Sequence, residues 1–197
     1  MNFLRSLLGL LAIFSTGAFA LEPDIAVTVN QAGEAFIVDV AFDLPVPIAT
    51  TWDVMTDFDH MSSIVNNLTS SRIVKREGQV LTVRQEGVAR YGLFSFAFES
   101  EREIRLESLK RIKVKQLSGT TKRMESEARL ARTETGTHVE YHAEIVPDSA
   151  LARMFGASVV RHEIAEQFRA MVAEMFKRDK RANPETVPPT ARDLPKS

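Results

Sequence analysis

Four polar side chains share strand faces with apolar residues, namely Gln85, Gln116, Ser126 and Tyr141. Alternate residues of a strand point to one side of a sheet, so we expect these four to face the interior. A polar group that is buried without a partner costs about 1–3 kcal/mol. The four therefore either hydrogen-bond to one another or meet water or a ligand. A register shift of one residue would turn all of them outward.

Aromatic and methionine side chains accompany these polar groups and predict either the lining of a pocket or an ordinary core. Methionine adapts to irregular apolar shapes, so the set would suit a lipid-like or polycyclic ligand. Arg161 borders this lining, where it would either meet an acidic head group or extend to solvent at the rim. The apolar candidates are Trp52, Met55, Val83, Phe94, Phe96, Phe98, Val114, Met124, Ile164, Phe168 and Met171.

Other groups that could perform chemistry are few. Asp57 and Asp59 could form a carboxylate pair for acid–base catalysis, but adjacent acids at a helix end more commonly cap the next turn. His138 and His142 are four residues apart on a strand, about 13 Å, which is too far for both to bind one metal ion. The absence of cysteine excludes disulfides and thiolate chemistry. The sequence predicts no metal site and no cofactor.

Composition limits the class of partner. The chain has 197 residues, with 25 Lys and Arg against 26 Asp and Glu. This near-neutral balance argues against nucleic acid as the main partner, because phosphate binding requires a basic surface. The length suits one domain with a sizeable core.

The first twenty residues have the pattern of a secretory signal peptide. Arg5 precedes an apolar run over 7–14, and small residues at Ala18 and Ala20 suit cleavage. The run is shorter than the ~20 apolar residues of a membrane span. We therefore expect a periplasmic or secreted protein after cleavage near Ala20, with an uncleaved N-terminal anchor as the alternative.

The remaining pattern alternates strongly. A hairpin is predicted at 24–30 and 35–42. Within the segment 46–61, a short helix is then predicted to begin at Pro47 and to stop at the acidic corner 57–59, followed by one more helical turn at 62–68 and a loop at 66–71. A long amphipathic helix follows at 149–181, and a proline-rich, disordered tail covers 183–197. Between loop and helix, six strands are predicted at 72–76, 79–89, 93–106, 111–117, 122–132 and 138–146.

This order resembles the helix-grip fold, an α+β fold in which a curved antiparallel sheet wraps a long C-terminal helix. The segment VPIATTWDVMTDFDHM at 46–61 resembles the first-helix signature of the START-like (SRPBCC) superfamily. GTHVEY at 136–141 and Pro147 resemble its penultimate strand and the proline that follows. The resemblance covers most of a single predicted domain at 21–182. It is nearest to the branch that contains the polyketide cyclase/dehydrase, lipid transport and coenzyme-Q-binding-like proteins.

The resemblance leaves three functions open. The first is an exported domain that binds a hydrophobic small molecule or lipid between the sheet and the C-terminal helix. The second is a cyclase- or dehydratase-type enzyme for an aromatic or polyketide-like substrate, acting through Gln85 and Tyr141, or through Arg84 and Glu86 if that strand is shifted by one. The third is a periplasmic module that contacts a protein or, transiently, a membrane surface.

Overall fold

The computed structural model describes residues 23–91, 94–148 and 156–183. The predictions for the signal peptide at 1–20 and for most of the C-terminal tail lie outside these residues. So do residues 149–155, where the last helix was predicted to begin.

Eight antiparallel strands form one curved sheet, which confirms the predicted fold class. The strands are β1 Ala26–Ala32, β2 Ala35–Leu44, β3 Leu68–Glu77, β4 Val80–Tyr91, β5 Phe94–Glu107, β6 Arg111–Gly119, β7 Thr121–Arg132 and β8 Thr137–Pro147. Their order across the sheet is β1-β2-β8-β7-β6-β5-β4-β3. The opening hairpin thus joins the meander at its last strand, because β2 pairs with β8.

The helix predicted after Pro47 ends at the acidic corner, as the sequence indicates. Helix α1 spans Ile48–Met55, a 3₁₀ turn spans Phe58–His60, and helix α2 spans Met61–Ile64. The break lies at Asp57, whose φ of −80° and ψ of 62° are not helical. Pro47 precedes the first helical residue in an extended conformation rather than occupying the first turn.

The predicted loop at 66–71 is wrong in its second half, because β3 begins at Leu68. The Thr and Ser residues there favour a loop when they are considered alone, but pairing with β4 holds them in the sheet. Ser71 is buried and donates a hydrogen bond of 2.5 Å to the Phe58 carbonyl oxygen. The strand is therefore attached to the turn that follows α1.

A long helix, α3, spans Ala157–Ala182 and covers the interior face of the sheet. Its buried stripe includes Phe168, Val172 and Met175, a helical spacing that confirms the amphipathic pattern. Gly156 is the residue just before this helix rather than a bend within it. The Phe168 ring packs edge-on against Phe42 at 5.7 Å between ring centres, which fixes the helix against β2.

The two sequence signatures meet in space. Thr137, in the Gly-Thr turn, is fully buried and donates a 2.7 Å hydrogen bond to the Val46 carbonyl oxygen. Thr51 of α1 is also fully buried and lies 3.4 Å from Thr137, measured between the side-chain oxygens. A side chain on Gly136 would overlap the backbone at Leu44, so the turn can approach the start of α1 only without one. These motifs therefore specify one joint between sheet and helix.

Candidate functional site

A cavity of about 150 Å³ lies between α3 and the sheet, closed at one side by α1 and α2. We call it the inner lobe. Its wall is mainly apolar, as ligand cavities usually are. Ten predicted candidates line it: Met55, Gln85, Phe98, Val114, Met124, Ser126, Tyr141, Ile164, Phe168 and Met171.

A second cavity of about 220 Å³, the outer lobe, lies towards the start of α3. Predicted candidate Gln116 lines this lobe, where its amide donates a 2.8 Å hydrogen bond to the Thr121 carbonyl oxygen. The two lobes meet at a common set of side chains. Those that line both are Phe98, Arg102, Met124 and Ile164.

Four predicted candidates do not line either lobe. Val83 is fully buried in the packed core, and Trp52 is only partly buried beside it. Phe96 is half-buried, and Arg161 is exposed, as expected for the solvent alternative. The prediction for the Phe94 side chain lies outside the described residues. Ligand contact by any of the sixteen candidates stays a prediction.

The register of β4 decides between two sets of polar candidates. Gln85 is buried with Leu81 and Val83, whereas Arg84 and Glu86 are exposed. The alternative in which this strand is shifted by one residue is therefore wrong. The Gln85 amide donates a 3.1 Å hydrogen bond to the Ser71 hydroxyl, so it has a partner within the protein.

Arg102 is the functional candidate that the sequence interpretation missed. It lies in β5 opposite Val83 and faces both lobes. Within the described part of the chain, its Nε has no hydrogen-bond partner. Burial lowers the pKa of the guanidinium, and the nearby Tyr141 acts in the opposite direction. Alternation from Phe98 through Ser100 could have placed it inward. The surrounding acids and bases, however, are typical of a solvated strand.

Tyr141 supplies the second polar group of the inner lobe. Burial raises the pKa of its phenol above 10.0, although the Ser126 hydroxyl and the positive charge of Arg102 act to lower it. The phenol is therefore protonated at neutral pH and can donate a hydrogen bond. Its ring packs edge-on against Phe168, with 5.2 Å between ring centres, so the hydroxyl is held in position.

The acidic corner after α1 is structural, as the helix-end interpretation of these acids predicted. Asp59 accepts a 2.7 Å hydrogen bond from the backbone N–H of Ile73 in β3. Asp57 lies 2.7 Å from both His60 and Arg178, measured to the nearest side-chain nitrogen of each. Both carboxylates therefore join elements to one another, and neither lines a lobe.

The histidines of β8 lie on the outer face. His138 is 2.9 Å from Asp43, and His142 is 2.7 Å from Asp39, each from Nδ1 to a carboxylate oxygen of β2. Among the residues that the structure describes, no three His, Asp or Glu side chains come together as a metal site. No helix in that same part of the chain is long and apolar enough to span a membrane.

The fold is shared with proteins of known structure. The aromatase/cyclase Zhui from Streptomyces sp. R1128 is similar at a TM-score of 0.64 and 16% identity, covering 76% of this chain and 98% of that one. A STAR-related lipid transfer protein from Xanthomonas axonopodis is similar at 0.55 and 10%, covering 77% and 98%. A START superfamily protein from Mycobacterium smegmatis is similar at 0.58 and 9%, covering 75% and 99%.

A comparison with curated proteins gave no match. The sequence profile of one family, described as polyketide cyclase/dehydrase and lipid transport, matches residues 44–172. This match includes the α1 signature, the strands of the meander and the first part of α3, and it contains every residue that lines the inner lobe. The chain therefore belongs to the polyketide cyclase/dehydrase and lipid transport family.

Proposed function

We propose that the protein binds a hydrophobic small molecule or lipid in the cavity between the sheet and α3. The observation that carries this proposal is empty volume inside an otherwise close-packed core. Around α1, Val46, Thr51 and Val54 are fully buried, yet about 150 Å³ stays unfilled beneath α3. An apolar ligand there would gain van der Waals contacts with the wall and displace water from it.

The polar groups of the inner lobe favour binding over acid–base catalysis. Among its described lining residues there is no Asp, Glu or His. The raised pKa of Tyr141 keeps its phenol protonated, so it is a hydrogen-bond donor and a poor general base at neutral pH. Such groups can orient a ligand within an apolar wall without transferring a proton.

The experiment is fluorescence titration with N-phenyl-1-naphthylamine, a neutral probe that emits in apolar sites. We expect saturable uptake by the wild type and a loss of about tenfold or more in affinity for Val114→Phe, which fills the inner lobe. Val74→Phe is the matched control, because Val74 is 44% exposed. Absence of uptake by the wild type, or unchanged affinity in a folded Val114→Phe, would overturn the proposal. Native mass spectrometry of protein from its own host would then identify the natural ligand.

A cyclase- or dehydratase-type activity is the second candidate, and the pair Arg102 and Tyr141 favours it. Two hydrogen-bond donors that face the same cavity could stabilise negative charge on a substrate oxygen. Turnover of aromatic or polyketide-like substrates would then fall in Tyr141→Phe and in Arg102→Met. No change in either folded variant, across every substrate that the wild type converts, would exclude these roles.

We infer that the protein acts after export. The supporting observation is the basic and apolar pattern of residues 1–20. N-terminal sequencing of the protein from a fractionated host tests this. A mature chain that begins at Leu21 outside the cytoplasm is expected, and an intact Met1 in the cytoplasmic fraction would contradict it.

A further inference from the structure

Two unpartnered polar atoms belong to alternate residues on the cavity side of β5. The Nε of Arg102 and the hydroxyl oxygen of Ser100 are both buried and have no hydrogen-bond partner among the residues that the structure describes. The two residues alternate on one strand face, so their Cα atoms are about 7 Å apart. Both line the outer lobe, and Arg102 also lines the inner one. Two such donors without acceptors indicate a missing acceptor at the junction of the lobes.

No acid among the described residues supplies the missing acceptor. In the part of the chain that the structure describes, no carboxylate pairs with Arg102, and the one ionisable group that influences it is Tyr141. Glu163 lines the outer lobe, but it accepts a 2.9 Å hydrogen bond from the side-chain amide of Asn67. Glu99 also lines that lobe and is exposed. The positive charge of Arg102 is therefore not neutralised within the described cavity.

An unneutralised guanidinium is costly in an apolar wall, since charge is removed from water without compensation. Two other arginines in β4 and β5 provide a comparison, because each is exposed and paired with an acid. Arg84 and Arg105 point outward and pair with Glu101 and Glu103 at 2.8 and 2.9 Å. Arg102 differs from both in orientation and in lacking an acidic partner. A ligand that brings the negative charge would account for this difference.

We propose that the ligand is an organic acid, an apolar molecule with one anionic oxygen group that binds Arg102 and Ser100 at the junction of the two lobes. This inference rests on the proposed binding function and specifies its ligand class. An apolar cavity of about 150 Å³ admits a benzene ring, so one ring or a short chain fits the inner lobe. The remainder of the apolar body would occupy the outer lobe, with the anion between them.

The test uses two probes with the same ring system. 8-Anilinonaphthalene-1-sulfonate carries one anionic group, and N-phenyl-1-naphthylamine is its neutral counterpart. In wild-type protein, we expect the sulfonate probe to bind about 10- to 100-fold more tightly than it does in Arg102→Met, with little change for the neutral probe. Arg105→Met, an exposed change on the same strand, is the matched control and should alter neither affinity.

Two further measurements separate a binding role from a structural one. Ser100→Ala keeps the positive charge of Arg102 and should lower the affinity for the sulfonate probe about 3- to 10-fold. Ligand-free Arg102→Met should melt at or above the wild-type temperature, because a desolvated charge has been replaced by an apolar chain. If Arg102→Met does not fold, Arg102→Lys takes its place and should retain the preference for the anion.

The outcomes are distinguishable. Uptake of neither probe by the wild type would overturn the proposed function itself. Uptake of both probes with equal affinity in wild type and Arg102→Met would leave that function standing and overturn the organic-acid inference. Competition by dodecanoate and dodecyl phosphate, with 1-dodecanol as the neutral reference, then distinguishes a carboxylate from a phosphate ligand. If 1-dodecanol displaces the probe as strongly as both acids do, the inference is also contradicted.

Discussion

At the scale of single residues, the surroundings rather than the residue type determine chemical character. Tyr141 and Arg102 face one cavity, and burial shifts the pKa of each towards its neutral form. Each also favours the ionised form of the other, because a phenolate beside a guanidinium is an opposite-charge pair. The two groups are therefore best understood as a coupled pair of hydrogen-bond donors at neutral pH.

The phenol of Tyr141 should lose its proton at a higher pH than the phenol of an exposed tyrosine does. Its pKa is higher in the folded than in the unfolded chain, so its contribution to stability is complete below the unfolded value of 10.0 and is lost as the pH rises through the folded value. The chain has two tyrosines, so ultraviolet absorbance at alkaline pH resolves few transitions. We expect Tyr141→Phe to remove the component of highest pKa. Loss of a component at or below pH 10 instead would contradict the assignment.

At the scale of elements, side chains from the corner after α1 hold α3 and β3 in place. Arg178 of α3 lies 2.7 Å from Asp57 and 3.1 Å from Glu174, and Asp59 binds the backbone of β3. The corner thus connects the C-terminal end of α1, which borders the inner lobe, to both α3 and β3. This explains why acidic residues recur here without facing a ligand.

Removal of Arg178 should destabilise the protein in a pH-dependent way. Partial burial raises the pKa of Asp57, but hydrogen bonds from His60 and Arg178 outweigh burial and hold it below 3.8. Hydrogen bonds from Lys177 and Arg178 likewise hold the pKa of Glu174 below 4.5, against an opposing effect of burial. Since both values are lower in the folded state, the stabilisation is present above the unfolded values and is lost as the pH falls through the folded ones.

Arg178→Met should therefore lower the free energy of unfolding by about 1–2 kcal/mol at neutral pH. The difference from wild type should shrink towards about pH 2, where the carboxylates are protonated. Urea denaturation at both pH values measures it. Arg169→Met is the control on the same helix, because Arg169 is 59% exposed and pairs with Glu166. An equal loss at both pH values would show that packing rather than charge is responsible.

Gly87 in β4 makes room for an aromatic wall. Gly87 pairs with Phe98 across β4 and β5, and a side chain at this position would overlap both the Phe98 ring and the Asn67 carbonyl oxygen. Gly87→Ala should cost about 1–3 kcal/mol and displace the ring towards the cavity, so uptake of the neutral probe should fall. In the control Gly156→Ala, the new methyl group meets only Ser158 at 3.9 Å, and we expect a loss below about 1 kcal/mol. Full probe affinity in Gly87→Ala would contradict this role for the glycine.

At the scale of the whole molecule, the two lobes provide room for a ligand but lower the stability of the ligand-free protein. The buried Nε of Arg102, which has no partner among the described residues, destabilises the ligand-free protein. A ligand that pairs with Arg102 and fills the lobes would offset that loss. Binding to the folded chain alone raises stability by mass action.

Thermal melting should therefore depend strongly on ligand. At about 100 times its dissociation constant, the sulfonate probe should add about 2.7 kcal/mol and raise the wild-type midpoint by about 5–10 °C. The folded variant Val114→Phe, melted in the same series, should show a much smaller rise because its inner lobe is filled. Equal rises in the two proteins would indicate that the probe binds outside the cavity.

Alternation and turn chemistry were enough to predict the sheet, the long helix and about half of the inner-lobe lining. Gln85, Ser126 and Tyr141 face inward because each lies between apolar residues with period two. Arg102 was missed because its own neighbours are charged, although alternation from Phe98 and Ser100 points it inward and the pairing with β4 agrees. The stop of α1 at the Asp57–Asp59 corner was predicted, whereas the contact between Asp57 and Arg178 of α3 was not, because local sequence does not encode it.

The pairing of β2 with β8 has a kinetic consequence. It brings Phe36 opposite Ile145, and the nearby Thr51–Thr137 contact joins residues that are 86 positions apart. Contacts between residues so distant in sequence form only after the chain has lost the entropy of closing a long loop. Proteins rich in such contacts therefore fold slowly, in milliseconds to seconds. The opening hairpin and α1 thus have no final position until the last strand has been synthesised. We expect the nascent chain to stay unfolded and open to chaperones until translation is nearly complete.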